Sequence, residues 1–276
     1  MKKNTIFILG IFILLFSQIQ AQVIISPYVV YTDEQNKFGS LIVQNESYDP
    51  YEITISFIFG YPVSDSLGNR TMEYIREPND SLPSINNWVK AFPKKFILQP
   101  KERQTVRLLI KPPQNIKDGT YWTRLVTSSA PVVNEEDTAN SGVSAKLRFV
   151  LNQVTTVIFR KGIPTTNLII KNVKLHSDST NTYQLLYSLK REGNSPYFGY
   201  LNLKIYNLNG ELIKEESDYT SIYFDIARNY ILPKDKFPAG RYKAEFEAVF
   251  SEKEDMPKSK MKPVPNVKKT YEFIIP

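Results

Sequence analysis

Few residues of this chain have side chains that are typical of catalysis. It contains one histidine, His176, and no cysteine. Ser177 and Asp178 follow the histidine, and serine, histidine and aspartate are the residue types of a hydrolytic triad. In a triad, however, the histidine lies between the other two side chains in space, and three consecutive residues do not form that arrangement. We therefore interpret His176 as a surface turn residue at the end of the strand expected at residues 168–175.

Metal and phosphate chemistry are equally poorly supported. One histidine without cysteine provides no ligand set for a transition metal. The acidic pair at residues 33–34 and the acidic triplet at residues 135–137 lack the spacing of a calcium loop. The sequence also contains no glycine-rich phosphate loop. We expect no catalytic residues, no cofactor and no small-molecule substrate, so the protein is predicted not to be an enzyme. Paired carboxylates in space cannot be read from a sequence, so a glycosidase-like site remains an alternative.

The first residues have the pattern of an export signal. Lys2 and Lys3 precede an apolar stretch at residues 6–16, and Ala21 is a small residue suited to cleavage. The stretch is shorter than the ~20 residues that span a bilayer. We predict a cleaved signal peptide at residues 1–21, a periplasmic location and no membrane span in the mature chain. An uncleaved anchor or a buried strand is the alternative reading, and a surface or secreted location is the alternative destination.

The charge pattern gives little support to nucleic-acid binding. The formal net charge is +7, but the basic residues are scattered and are not interleaved with stacking aromatic residues. One dense basic segment, residues 253–269, contains six lysines and three prolines. We interpret this segment as a solvated loop between the last two strands, with a basic patch for an anionic partner as the alternative.

Hydrophobic residues alternate with polar ones in short runs along most of the chain, which predicts β-strands. A break at Lys161–Pro164 separates two sets of runs. The fold class predicted is therefore all-β, with two Ig-like β-sandwich domains at residues 22–162 and 163–276. The strands are expected at residues 39–45, 51–61, 104–110, 119–126 and 143–160, and then at 168–175, 183–190, 200–207, 212–216, 229–232, 241–250 and 270–275.

The run at residues 143–160 is unusually long for a strand, against a typical ~5–6 residues. Its first half is apolar on one face only, and its second half is apolar on both faces, as in a buried strand. An apolar row on an edge strand promotes aggregation unless something covers it. These side chains either face their own core or are offered to a partner strand. The row consists of Val143, Ala145, Leu147, Phe149 and Leu151.

Several motifs, in their order, resemble those of the PapD-like periplasmic pilus chaperones. Residues 26–31 with 39–45 are similar to that family's first two strands, and residues 96–107 resemble its L-x-P-G…x-V-R stretch. The long strand ending at Arg160 resembles its G1 strand, and residues 194–199 resemble its N-P-T-P-Y segment. The resemblance implies two Ig-like domains in a boomerang arrangement. It also implies that the apolar row listed above is a donor strand lent to an incomplete exported subunit.

The same resemblance assigns four further positions. Arg160 matches an arginine of the family's interdomain salt-bridge network, and Asp118 is the candidate for its acidic partner. Tyr28 and Thr156 stand where the family has an arginine and a lysine that anchor a subunit's C-terminal carboxylate. Neither side chain carries the positive charge that would form an ion pair with a carboxylate. The loop before the donor strand corresponds to residues 129–142.

Three functions follow from these observations as hypotheses. The first is a periplasmic chaperone that caps pilin-like subunits by donating an edge strand, with an outer-membrane usher as a second partner. The second is a structural or adhesive surface protein that uses Ig-like modules as spacers, which the altered anchor positions favour. The third is a carbohydrate-binding or hydrolytic β-sandwich, in which Trp88 and Trp122 stack on sugars.

Overall fold

The computed structural model describes residues 23–132, 149–177, 182–252 and 263–276. Within these residues the protein is built of β-strands joined by turns, and no helix is present. No helix of the described residues is therefore long and apolar enough to cross a membrane. The signal peptide expected at residues 1–21 and most of the basic segment at residues 253–269 lie outside the described residues.

The first domain contains ten strands in two sheets. One sheet has the order β1–β3–β8–β6, and the other has the order β2–β10–β9–β4–β5, with β7 also paired to β4. The strands are β1 (Val23–Ser26), β2 (Val29–Asp33), β3 (Phe38–Asn45), β4 (Tyr51–Ser64), β5 (Arg70–Ile75), β6 (Val89–Phe92), β7 (Lys95–Leu98), β8 (Arg103–Ile110), β9 (Gly119–Pro131) and β10 (Leu151–Lys161).

The core of the first domain lies between these two sheets. In β3 the side chains of Leu41 and Val43 are buried, whereas those of Ser40 and Ile42 are exposed, because successive residues of a strand point to opposite faces. The same alternation in β8 buries Val106 and Leu108. The second sheet contributes Ile53, Ile55, Leu125, Val157 and Phe159 to the same core.

The second domain contains seven strands in two further sheets, with the orders β11–β12–β15 and β14–β13–β16–β17. Its core contains leucine, isoleucine, tyrosine and phenylalanine side chains from both sheets. The strands are β11 (Thr166–Ser177), β12 (Thr182–Gly193), β13 (Tyr197–Asn207), β14 (Leu212–Ile222), β15 (Ile226–Pro233), β16 (Gly240–Phe250) and β17 (Val267–Ile275).

The predicted fold class is confirmed: the chain is all-β and forms two Ig-like β-sandwiches. The first difference concerns five short strands of the first domain, β1, β2, β5, β6 and β7, which the hydrophobic pattern did not predict. Each has only four to six residues. A run of that length shows too few alternations to be distinguished from a loop.

The second difference concerns the long strand expected at residues 143–160. Residues 143–148 lie outside the described residues, and the described Phe149 and Val150 are not part of a strand, since β10 begins at Leu151. Leu151 pairs with Ser129, so the same register would place Phe149 opposite Pro131. Proline has no backbone N–H to donate, so the ladder ends there.

Candidate functional site

Strand β10 is covered unequally by its two neighbours. On one side, β9 pairs with it along its whole length, from Leu151 to Lys161. On the other side, β2 runs parallel to it and pairs only with Thr156–Arg160. Among the residues that the structure describes, 151–155 therefore form an open edge on the β2 side. At ~3.3 Å per residue this edge is roughly 16 Å long.

The open edge exists because the chain changes sheets between β1 and β2. Strand β1 pairs with β3 in the other sheet and ends at Ser26. Strand β2 begins at Val29, which is paired with Thr156 of β10. Between them, the carbonyl oxygen of Tyr28 accepts the backbone N–H of Thr156 at 3.0 Å. None of the described residues before Tyr28, which are residues 23–27, continues along β10, so the partner strand stops where the open edge begins.

The backbone groups that face the open edge can be identified from this hydrogen bond. Since the N–H of Thr156 points toward β2, the two-residue repeat of a strand directs the N–H groups of Val154 and Asn152 the same way. Gln153 and Thr155 direct theirs toward β9. A row of unpaired N–H and C=O groups on a strand edge is a template for pairing with another chain.

The predicted donor row becomes exposed at this open end. Along one face of β10, Val157 and Thr155 are fully buried, whereas Leu151 is 47% exposed and Phe149 beyond it is 78% exposed. The same row thus fills the domain's own core at one end and faces solvent at the other. The remaining members of the predicted row, Val143, Ala145 and Leu147, lie outside the described residues.

The opposite face of β10 borders a cleft between the two domains. Val154, Thr156 and Ile158 line it, and its volume is about 520 Å³. The first domain adds further side chains from β2, β4, β5 and β9, and the second domain adds residues of β13, β14 and the turn that follows β14. The aromatic residues around the cleft are Tyr28, Tyr31, Tyr74, Phe198, Tyr219 and Tyr223.

A buried arginine, Arg124 of β9, lies in this cleft and was not predicted. It is 8% exposed, its Nε donates to the carbonyl oxygen of Gly60 at 3.0 Å, and its Nη1 donates to the hydroxyl of Thr156. The guanidinium lies 5.0 Å from the centre of the Tyr223 ring. Within the described residues no carboxylate pairs with it. The sequence signal was a charged residue inside an otherwise uncharged strand.

The two altered anchor positions are placed side by side. Tyr28 is 68% exposed at the mouth of the cleft, and its carbonyl oxygen is bonded to the N–H of Thr156. The hydroxyl of Thr156 in turn accepts from Arg124. A positive charge is therefore present beside Thr156, but it comes from the neighbouring strand β9 and not from β2 or β10.

Arg160 links the two domains. Its Nη2 lies 2.6 Å from Oε1 of Glu252, which follows β16, and its guanidinium lies 5.9 Å from the centre of the Tyr31 ring. The carboxylate that pairs with Arg160 is thus Glu252, whereas Asp118 lies at the linker. There the carbonyl oxygen of Asp118 accepts from Nδ2 of Asn194 at 3.0 Å. Glu252 was overlooked because it lies directly before the basic segment at residues 253–269.

The turn between β4 and β5 makes a third contact between the domains. The hydroxyl oxygen of Ser64 accepts the N–H of Ala227 at 2.6 Å, and the carbonyl oxygen of Leu67 accepts from Asn229 at 2.8 Å. Gly68 in this turn has a φ of +78°, and an added Cβ would lie 2.5 Å from the carbonyl carbon of Arg228. The glycine is required by both the backbone conformation and the close approach.

Trp122 belongs to an aromatic cluster at the domain junction and cannot stack on a sugar. It is 2% exposed, stacks on Phe59 at 5.2 Å between ring centres, and lies 4.7 Å from the ring of Tyr223 in the second domain. Its indole N–H donates to the carbonyl oxygen of Gly60 at 3.1 Å. The hypothesis that Trp122 binds carbohydrate is therefore wrong. Trp88 is only partly buried, and its ring centre lies 5.1 Å from that of Tyr121.

The prediction that His176 is a turn residue is wrong, because it lies in β11, opposite Gln184 of β12. Asp178 lies outside the described residues, so no geometry can be assigned to the three consecutive polar residues. Among the residues that the structure describes, no group of three histidine, cysteine, aspartate or glutamate side chains is placed to hold a metal ion.

Comparison with known proteins gives matches among solved structures only. No protein-family model matches the chain, and no curated protein matches it. The YadV chaperone has a TM-score of 0.47 at 11% identity, over 92% of this chain and all of that one. The chaperone in the CsuC–CsuE complex of chaperone and tip adhesion subunit, from Acinetobacter baumannii, has a TM-score of 0.46 at 12% identity, over 90% and 98% of the two chains.

A third solved structure contains the SafB chaperone with the SafA pilin, from Salmonella enterica. It has a TM-score of 0.41 at 13% identity, over 94% of this chain and 99% of that one. Each of these three solved structures contains a chaperone.

Proposed function

We propose that this protein is a chaperone that binds an extended segment of an exported, pilin-like subunit by strand addition to the open edge of β10. The observation that supports this proposal is the combination of an unpaired edge at residues 151–155 with exposed apolar side chains at its end. A bound strand would occupy the position that β2 leaves free. It would bond to the backbone groups of Asn152 and Val154.

The side chains beside the edge add apolar contact. Phe149 and Leu151 are both exposed, and full burial of such a side chain stabilises a complex by ~1.5–3 kcal/mol before ordering costs. Because alternate residues of a strand point the same way, a client would place its own apolar residues against this row. We propose that Val143, Ala145 and Leu147 extend the row.

Arg124 supplies the charge at this site in the proposed complex. Its guanidinium is buried beside Thr156, and the described residues provide no carboxylate for it. A charge-assisted hydrogen bond between this arginine and a carboxylate of the bound segment would offset the cost of burying it. Tyr28, at the cleft mouth, would contact the same segment.

The cellular setting is part of the proposal. The signal peptide at residues 1–21 would direct the chain to the periplasm, and the two domains would be residues 22–162 and 163–276. An outer-membrane usher is the proposed second partner, to which the chaperone delivers its client. The activity is binding and not catalysis, and folding of the client provides the driving force.

Replacing Val154 by proline tests the proposed edge directly. Proline removes the N–H that faces the open edge but leaves the hydrogen bonds to β9, which come from the alternate residues. The variant Val154→Thr keeps the N–H and the branched side chain, so it is the matched control. Each variant is co-expressed with the exported proteins encoded beside it, and the client retained on the tagged chaperone is quantified.

We expect Val154→Thr to retain the client and Val154→Pro to lose most of it, with similar thermal unfolding of both variants. Equal retention by the two variants would contradict strand addition at β10. The second hypothesis, an adhesive or structural surface protein, predicts a different location: cell fractionation would then find the chain in the envelope or outside the cell, with no exported client attached.

A further inference from the structure

The outer face of the β1–β3–β8–β6 sheet carries two highly exposed phenylalanines. Phe38 is 66% exposed and Phe92 is 76% exposed. The strand registers place both at the same end of the sheet, because Phe38 and Lys90 are each paired with Leu109, and Phe92 and Ser40 are each paired with Arg107. These two rows define what we call the Phe38–Phe92 patch, which consists of Phe38, Ser40, Lys90, Phe92, Arg107 and Leu109.

This sheet is positively charged and contains no acidic residue. None of the strands β1, β3, β6 and β8 contains aspartate or glutamate. Their exposed cations are Lys90, Arg103 and Arg107, and no ion pair involves any of the three within the described residues. Two further apolar residues of the same face, Ile24 and Ile42, are 41% and 40% exposed.

The dimensions of the face decide between a protein and a membrane as its partner. Four strands spaced ~4.8 Å apart and at most eight residues long give an area of roughly 500 Å². A stable protein–protein interface buries ~800 Å² on each partner, so this face is too small to carry one alone. Binding to a bilayer surface requires no minimum contact area. Such a surface favours aromatic side chains at the membrane–water interface and cationic side chains beside the lipid phosphates.

We infer that the Phe38–Phe92 patch binds the surface of a bilayer that contains anionic phospholipids. The phenyl rings of Phe38 and Phe92 enter the interface, and Lys90 and Arg107 lie against the headgroup phosphates. Carboxylates would be repelled by such a surface, and the four strands contain none. The patch lies on the sheet that does not contain β10, so bilayer binding is separate from the proposed strand addition and does not depend on it.

Vesicle sedimentation of the mature full-length protein tests this inference. Vesicles of phosphatidylglycerol and phosphatidylethanolamine in equal amounts are compared with vesicles of phosphatidylcholine alone. We expect binding to the first and at least tenfold weaker binding to the second. The double variant Lys90→Glu, Arg107→Glu should bind the anionic vesicles roughly 25-fold less tightly, from a factor of about 5 for each cation lost.

The apolar part is tested by Phe38→Ser with Phe92→Ser, each change weakening binding on the order of tenfold. The matched control is Arg241→Glu with Ile274→Ser, an exposed cation and an exposed apolar residue that are paired across β16 and β17. This control should bind as the unchanged protein does. Thermal unfolding confirms that the exposed substitutions leave the fold intact.

Three results would overturn the inference. The first is absence of binding to the anionic vesicles, and the second is equal binding to both kinds of vesicle. The third is unchanged vesicle binding by the phenylalanine double variant. If that variant instead lost a protein partner while the unchanged chain ignored vesicles, the patch would be a protein-binding surface and the lipid assignment would be wrong.

Discussion

The ion pair between Arg160 and Glu252 should stabilise the domain junction measurably. The two side chains are only 10% and 15% exposed, and Nη2 and Oε1 are 2.6 Å apart. Replacing Glu252 by methionine leaves a buried arginine without its counter-charge, and Nε of Arg160 already has no hydrogen-bond partner. Removing one member of a buried pair costs ~3–5 kcal/mol. We expect about 3 kcal/mol, because the Tyr31 ring still faces the guanidinium.

The double variant Arg160→Met, Glu252→Met should recover most of this loss. Two methionines fill a similar volume and leave no buried charge, so the double variant should lie within about 1 kcal/mol of the unchanged protein. Urea unfolding followed by tryptophan fluorescence provides the free energies of all four proteins. Trp122 makes this signal sensitive to the junction, since its ring packs against Tyr223 of the second domain.

An exposed ion pair provides the control for this double-mutant cycle. Lys204 and Glu215 lie 3.2 Å apart on neighbouring strands, with side chains 45% and 58% exposed. Their methionine variants should change the free energy of unfolding by less than about 1 kcal/mol. The reasoning would be refuted if Glu252→Met cost as little as this control, or if the two single losses at the junction simply added in the double variant.

Three further outcomes are expected. Burial raises the pKa of Tyr187 well above 10.0 and also raises that of Tyr230, so the folded state keeps phenolic protons that the unfolded state loses. These two tyrosines should leave the urea midpoint unchanged between about pH 7 and 10 and lower it above about pH 10, as measured together with phenolate absorbance. Gly68→Ala should destabilise the protein by about 1–3 kcal/mol, measured by urea unfolding, because of its positive φ and the backbone of Arg228. Leu203→Ala in the second core should cost about 2–5 kcal/mol by the same measurement, since Leu203 is fully buried.

The sequence predicted the fold class because long alternating strands dominate it. In β16, for example, Tyr242, Ala244, Phe246 and Ala248 are buried in strict alternation, and that pattern is visible without a structure. The short strands β5 to β7 were not predictable in the same way, because their positions depend on pairing with β4 and β8.

The site was predictable only in part. The apolar row containing Phe149 and Leu151 was visible from its spacing. The open edge beside it depends on where β2 stops pairing with β10, and these two strands are more than a hundred residues apart in the sequence. The contacts of Arg124 and the pairing of Arg160 with Glu252 are likewise long-range. A sequence shows that a charge lies in an apolar strand, and only the fold shows which groups it meets.

Three of the contacts between the domains have a consequence for the speed of binding. The turn at Ser64–Gly68, the aromatic cluster at Trp122 and the Arg160–Glu252 pair lie at separate points of the junction. Rotation of one domain against the other would break all of them together. The cleft should therefore keep a constant width, and the client that we propose should be accepted in one step without domain closure. Association should then be limited by encounter and by the ordering of the client, and not by a rearrangement of the protein that receives it.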